Sequence, residues 1–375
     1  MEFQLISREL PETDVADIAK TFIQPFELDQ APLFRAELAT VSGKQYLMID
    51  MHHIISDGVS ISLLLKEFTK LYNGESLEPL RIQYKDFAQW QNAYLRSGSL
   101  DKQAAYWKKQ FEGTVPVLHL PYDYERPSIQ SFEGDSVHFT LDKEMTEGLR
   151  GLAKEEGATL HMVLLSAFNI LLSKYSGQED IVVGVPVAGR PHADLRNMIG
   201  MFVNTLAVRN HPDKEKTFKE LLKEVKENSL QAYDNQNYQL EELIENIAIK
   251  RDISRNPLFD VIFNLNNIEY EVDLTLDGIE LKQVNLENDL SRVDLSLVGF
   301  ESGSEIHLKL VYSTKLFKKP TIKRAIEDLN TILTKVLKDS SIILGDIQLL
   351  NKDEEKYILN EKNKVSDLRN VEFSF

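Results

Sequence analysis

The chain has 375 residues, 42% hydrophobic and 27% charged, a composition that excludes a disordered or fibrous protein and a length that favours two domains over one. The formal net charge of −16 argues against a nucleic-acid partner, because phosphate binding depends on an excess of Lys and Arg. The absence of cysteine excludes a thiolate nucleophile, an acyl-cysteine intermediate and a cysteine-ligated zinc.

The first part of the chain alternates strand and helix patterns. Residues 2–10 and 33–53 have the short, partly alternating apolar pattern of strands, and Ser42 and Gly43 mark a turn inside the second stretch. Helical spacing with capping or breaking residues follows in three stretches: 13–26, 60–74 and 84–98. We place a lobe boundary after residue 97, where the last of these helices ends.

The second part begins with a helical run and a proline-punctuated crossover at residues 117–127, and then alternates again. Strands are predicted at 136–141, 180–189, 259–270, 290–301 and 305–313, and helices at 143–157, 159–177 and 321–339. The stretch at 180–189 is continuously apolar, as in a strand buried on both faces. The order predicts an α/β or α+β protein with mixed sheets and two lobes, 1–97 and 98–349, followed by a charge-rich connector at 350–375.

No targeting or membrane-spanning segment is visible. The longest apolar runs, such as MVLLSAFNILL at 162–172, are shorter than the ~20 residues that cross a bilayer. The opening MEFQLISREL lacks a basic stretch followed by an apolar one, so we expect no signal peptide. We therefore expect a protein of the reducing cytoplasm with no membrane partner, and the lack of cysteine agrees.

The stretch MIDMHHIISDGVSIS at 48–62 carries two adjacent histidines, an aspartate and a glycine. Such a group can bind a metal, activate a nucleophile or move a proton on a substrate. If the strand continues through His52 and His53, their side chains point to opposite faces, which argues against a shared metal. No G-x-S-x-G elbow, P-loop or G-x-G-x-x-G motif is present, so an acyl group would pass directly between two bound substrates.

Asp57 stands where the predicted strand turns into the next helix, with Gly58 beside it. An aspartate there is either a simple helix cap or a buried brace for the turn. A buried carboxylate requires a cation or several N–H donors. The sequence pattern alone leaves both interpretations open.

MHHIISDGVS resembles the HHxxxDG signature of the acyltransferase superfamily that includes chloramphenicol acetyltransferase. Further blocks make the chain similar to the condensation domains of non-ribosomal peptide synthetases: PFELDQAPLFR, YKDFAQW, LPYDYERP, VGVPVAGRPHADL, IGMFVNTLAVR and RDISRNPLFD. The similarity extends from about residue 24 to 350. Two departures stand out: NQNYQLEELI at 235–244 replaces the usual H/N-Q-D-Y-P-F-E, and the family's S-x-A-Q-x-R and R-H-E-x-L-R-T blocks are absent before His52.

The resemblance implies two chloramphenicol acetyltransferase-like lobes in a V-shaped pseudo-dimer, with the first lobe incomplete. It implies that no cofactor binds directly and that substrates arrive on the 4′-phosphopantetheine arms of upstream and downstream peptidyl carrier domains, next to an adenylation domain. The reaction would be peptide-bond formation, since neither the D-x-x-x-x-D of heterocyclisation relatives nor the E-G-H-G-R stretch of epimerisation relatives is present.

The resemblance also assigns residues. His53 takes the catalytic position, and Gly58 offers a backbone N–H near the donor carbonyl. His52 is a structural neighbour, and Asp57 is expected to form an ion pair with Arg190.

Asn266 and Asn267 occupy positions that face the substrate tunnel in relatives, although strand polarity explains them equally well. Two further alternatives stay open: a truncated platform that docks carrier proteins without forming bonds, and a stand-alone acyltransferase acting on a small alcohol or amine. The sequence does not identify the donor or acceptor amino acid.

Overall fold

The computed structural model describes residues 5–247, 252–266, 276–279, 284 and 290–350. Within these ranges the strands are β1 Ile6–Leu10, β2 Phe34–Val41, β3 Lys44–Met51, β4 Gly134–Leu141, β5 Ile181–Val187, β6 Asn204–Asn210, β7 Val261–Asn266, β8 Leu295–Ser302 and β9 Glu305–Ser313. The α-helices are α1 Val15–Phe22, α2 Gly58–Tyr72, α3 Tyr84–Arg96, α4 Asp101–Gln110, α5 Lys143–Glu155, α6 Leu160–Ser176, α7 Phe218–Asp234, α8 Leu240–Asn246 and α9 Lys319–Lys338.

The first sheet is mixed and has the order β1-β2-β3. β1 runs parallel to β2, and β2 pairs antiparallel with β3 through the predicted turn at Ser42 and Gly43. One face of the sheet is covered by α1, whose buried Ile18 packs against Ala39 and Val41. The described parts of the stretches predicted as strands, Ile6–Leu10 and Phe34–Met51, therefore form one small sheet, and α2 follows it in the chain.

The second sheet is also mixed, with the order β4-β9-β8-β7-β5-β6. Its central pairs β5–β7 and β7–β8 are parallel, and its outer pairs are antiparallel. The continuously apolar β5 is buried from Ile181 to Val185, as its sequence predicts. Helices α5, α6, α7 and α9 pack into the main core with this sheet.

Helix α6 is the central helix of that core, because all residues from Met162 to Leu172 are buried. A helix that is apolar on every side is normally enclosed by other elements. Among the described helices, none alone has the length and hydrophobicity of a membrane span; α5 and α6 reach them only as a pair that is bent by 103°.

Strand β6 and helices α7 and α8 are absent from the predicted elements. Strand β6 overlaps the block IGMFVNTLAVR, which was interpreted as a family motif and not as a strand. Helix α7 begins at a capping box formed by Thr217 and Glu220 and presents a regular apolar face to α6. The crossover at 117–127 contains no helix or strand.

We expect Gly184→Ala to lower the free energy of unfolding by about 1–3 kcal/mol, the usual cost of overpacking a core. Gly184 lies in β5, and a Cβ atom there would stand 2.5 Å from the Phe259 ring. Chemical denaturation measures the change. Gly151→Ala is the control, since it adds the same methyl group to α5 with no atom within 4 Å. Equal stability of both variants would contradict the close packing of Phe259 on β5.

Candidate functional site

The two histidines follow the end of β3. The pairing of β2 and β3 stops at Phe34 and Met51, so the prediction that the strand continues through both histidines is wrong. The physical reason is local: the Nδ1 atom of His52 accepts a hydrogen bond from the Ile54 N–H at 3.0 Å. That bond starts a 3₁₀ turn over His53–Ile55 in place of further strand pairing.

The two imidazoles have different surroundings. His52 is half-buried, and its ring meets Phe26 edge-on at a centroid distance of 6.0 Å. His53 is exposed, and its side chain has no hydrogen bond to another described residue. Within the described ranges, no group of three or more His, Cys, Asp or Glu side chains is placed to hold a metal ion. His53 is therefore the imidazole of the pair that a substrate can reach.

Asp57 is both the cap of a helix and a buried ionic partner. Its Oδ1 accepts the N–H of Ser60 at 2.8 Å, in the first turn of α2. The same carboxylate receives Nη2 of Arg190 at 2.9 Å on Oδ1 and 3.1 Å on Oδ2, and the N–H of Phe202 at 3.1 Å on Oδ2. Both charged side chains are only 4% exposed. Asp57 is therefore a helix cap and a buried brace at the same time. The carboxylate that caps α2 is neutralised by Arg190, which is distant in sequence.

Arg190 is held through both terminal nitrogens of its guanidinium and by the packing around it. It follows β5 through Gly189, whose φ is +63° and whose position leaves no room for a Cβ atom, since that atom would lie 1.8 Å from the Phe202 carbonyl oxygen. Its Nη1 donates to the carbonyl oxygens of Leu195 (2.6 Å) and Met198. Its guanidinium carbon lies 4.0 Å from the centre of the Phe202 ring. The side chain that neutralises Asp57 therefore has little freedom to move.

The segment before β6 is pressed against the first turn of α3. The Tyr84 hydroxyl donates to the Met201 carbonyl at 2.8 Å, and the Tyr84 ring would lie 2.2 Å from a Cβ atom at Gly200. Burial raises the pKa of Tyr84, and the nearby Asp57 carboxylate raises it further, so its hydroxyl stays a donor. Sequence analysis did not identify Tyr84, Gly200 or Phe202 as site residues. The blocks YKDFAQW and IGMFVNTLAVR, which contain these three residues, were the sequence features that could have identified them.

The block RDISRNPLFD takes part in a separate buried polar network. Arg255 Nη1 lies 3.2 Å from Asp260, and Arg126 of the crossover pairs with Asp294. Burial, together with the neighbouring Asp294 carboxylate, raises the pKa of Asp260 to about 7. These contacts join the crossover to the starts of β7 and β8. Arg251 lies outside the described residues.

Asn266 is the last residue of β7, is half-buried and stands opposite Phe300 of β8. Asn267 lies outside the described residues. A tunnel role for either amide stays a prediction.

We expect Asp57→Ala to lower the free energy of unfolding by about 3–5 kcal/mol, because it leaves the buried Arg190 without its counter-charge. Denaturant titration followed by circular dichroism measures the change. The control is Asp17→Ala, which removes an exposed first-turn partner of Lys20 and is expected to cost about 0–1 kcal/mol. An Asp57→Ala variant with unchanged stability and lost activity would contradict the bracing role.

Comparison with known proteins identifies the family of the chain. A family model described as the condensation domain matches residues 1–359. The chain is 46% identical over 364 residues to gramicidin S synthase 2 of Aneurinibacillus migulanus and 47% identical over 364 residues to tyrocidine synthase 3 of Brevibacillus parabrevis. Each match covers 97% of this chain. The chain spans only 8% and 6% of the length of these two relatives.

Solved structures show the same fold. The four-domain nonribosomal peptide synthetase holo-AB3403, bound to AMP and glycine, matches with a TM-score of 0.83 and 25% identity, over 95% of this chain and 28% of that chain. The first condensation domain of the calcium-dependent antibiotic synthetase, in complex with a substrate analogue, matches with a TM-score of 0.70 over 92% of this chain and 78% of that chain. At 20% identity the second match shows only that the fold is shared. Two mixed sheets flanked by helices form the chloramphenicol acetyltransferase-like architecture of these structures.

Proposed function

The chain belongs to the condensation-domain family of non-ribosomal peptide synthetases, and from this we propose that it joins two carrier-bound substrates by direct acyl transfer. The amine of the downstream aminoacyl group attacks the upstream thioester carbonyl, so that a C–N bond forms and the C–S bond breaks. The amine gives up a proton, and the departing thiolate takes one up. The observation that carries the proposal is the exposed His53 imidazole on a turn whose far end is fixed by the buried Asp57–Arg190 contact.

The role of His53 follows from proton chemistry. An α-ammonium group with a pKa of ~8 has to lose a proton before or during attack, and imidazole is the side chain matched to that pH range. General-base catalysis contributes ~10²–10⁴-fold, and alignment of two tethered reactants supplies effective molarities of ~10⁵ M or more. We therefore assign His53 to accepting the proton or a hydrogen bond from the amine, with alignment as the larger contribution.

Gly58 is proposed to stabilise the oxygen that becomes negative. It is the first residue of α2, and first-turn N–H groups have no acceptor inside their own helix. The positive end of the helix dipole adds to the attraction for an oxyanion. His52, with Nδ1 engaged by Ile54, is proposed to orient the turn and to take no part in proton transfer.

The proposal includes partners. Substrates would arrive on the 4′-phosphopantetheine arms of upstream and downstream peptidyl carrier domains beside an adenylation domain, in the cytoplasm. Within this scheme residues 1–97 and 98–349 are the two lobes and 350–375 connects to the next domain. Asn266 and Asn267 are proposed to face the substrate tunnel. Support comes from the relatives, which are far longer synthases, and from a four-domain structural neighbour.

We expect His53→Ala to lower kcat for dipeptide formation about 100-fold, because a correctly placed general base is lost and alignment remains. Stability should not change, since the ring is exposed. The assay supplies the chain with two carrier proteins loaded with amino acids and detects the dipeptidyl carrier by mass spectrometry. The control is His119→Ala, another exposed histidine, which should retain full activity.

Three results would contradict the proposal in different ways. Full activity of the His53→Ala variant would show that His53 neither accepts the proton nor accepts a hydrogen bond from the amine in the rate-determining step. A wild-type chain that binds both loaded carriers and yields no dipeptide would favour the docking platform. A chain that transfers an acyl group to a free small amine and ignores the carriers would favour the stand-alone acyltransferase.

A further inference from the structure

Ser60, in the first turn of α2, is fully buried, and its hydroxyl oxygen meets four polar atoms. Asp57 Oδ1 and the Gly200 carbonyl oxygen each lie 2.8 Å away. The Gly200 N–H and Arg190 Nη2 each donate to Oγ at 3.0 Å. One hydroxyl thus contacts the capping aspartate, its arginine partner and the segment before β6.

The hydrogen-bonding capacity of this hydroxyl is completely used. A serine has one proton and two acceptor lone pairs. Gly200 N–H and Arg190 occupy the two lone pairs, and both the Asp57 carboxylate and the Gly200 carbonyl are within reach of the single proton. No rotation of the hydroxyl adds a partner, and loss of the oxygen leaves the Gly200 N–H and carbonyl without this contact.

Ser60 supplies what the ion pair alone does not. Arg190 reaches both oxygens of Asp57 through one nitrogen, Nη2, and the Phe202 N–H bonds to Oδ2, so Asp57 attaches the start of α2 to the segment before β6 at a single residue. The bonds between Ser60 and Gly200 add a second attachment between α2 and the segment before β6, about one helical turn from the first. Two attachments at different points fix the orientation of the helix as well as its position.

We propose that Ser60 is a positioning residue for His53, an inference that rests on the proposed function. His53 belongs to the turn that leads directly into Asp57, and within that turn Ser56 bonds back to the His52 carbonyl at 3.3 Å. A displacement of the first turn of α2 is therefore passed to the imidazole. Since misplacement by about 1 Å can cost ~100-fold in rate, a hydroxyl that never touches substrate controls kcat.

The test compares two fully buried serines in the full chain. Ser60→Ala removes the hydroxyl that joins α2 to Gly200. Ser166→Ala is the matched control, because Ser166 is equally buried and, among the described residues, its hydroxyl bonds only to the Met162 carbonyl of its own helix, at 2.8 Å. Ser60→Cys is the second variant: it nearly keeps the shape, and its thiol is a weak donor and acceptor, so it tests the contact if Ser60→Ala does not fold.

Two readouts are taken below the unfolding temperature of each variant. Dipeptide formation should show kcat lowered by up to ~100-fold in Ser60→Ala, a smaller loss in Ser60→Cys, and an unchanged KM for the acceptor carrier. The second readout is the ¹³Cε1–¹H NMR signal of His53, assigned by its absence in His53→Ala. It should move in both Ser60 variants and stay in place in Ser166→Ala.

An unmoved His53 signal with an unchanged kcat in the folded Ser60 variants would overturn the inference. So would a Ser60→Ala variant that loses stability as Ser166→Ala does and keeps its kcat, because the role of the hydroxyl would then be structural alone. A wild-type chain without dipeptide formation contradicts the proposed function by itself. In that case the His53 signal still decides whether Ser60 positions the turn.

Discussion

The buried contact between Asp57 and Arg190 is the constraint on which the site depends. Its members are 133 positions apart in sequence, and each is withdrawn almost completely from water. A buried ion pair adds little net stability compared with apolar packing, but removal of one partner is costly. The pair therefore acts chiefly on geometry: it forces the start of α2 and the end of β5 into one fixed arrangement, and the turn that carries His53 follows from that arrangement.

Close backbone approach makes this contact possible. The Phe202 carbonyl occupies the space that a side chain at Gly189 would fill, and the Tyr84 ring occupies the corresponding space at Gly200. With those two glycines, the segment before β6 comes near enough for its N–H and carbonyl groups to reach Asp57 and Ser60. The position of the His53 imidazole thus depends on main-chain packing that does not contact the imidazole itself.

Sequence patterns predicted the parts of this fold that depend on local information. The alternation around Ser42 and the apolar run of β5 predicted their strands correctly, because burial alone produces those patterns. The end of β3 was missed because the His52 side chain competes with strand pairing for the Ile54 N–H. Helix α7 was readable from its capping box. The contacts of Ser60 were not readable, since they depend on where a segment 140 residues away is placed.

The groups of the segment at 195–202 that hydrogen-bond to this charged cluster are all main chain: the carbonyls of Leu195 and Met198, the N–H and carbonyl of Gly200, and the N–H of Phe202. The Phe202 ring adds one side-chain contact, with the guanidinium of Arg190. Main-chain groups are the same whatever side chains a relative carries. Substitutions at the exposed Arg196 and Asn197 can therefore accumulate while these hydrogen bonds are preserved. Gly200 and the buried Leu195, Met198 and Phe202 side chains are not interchangeable in this way, because they set the path that brings the backbone to Asp57, Ser60 and Arg190.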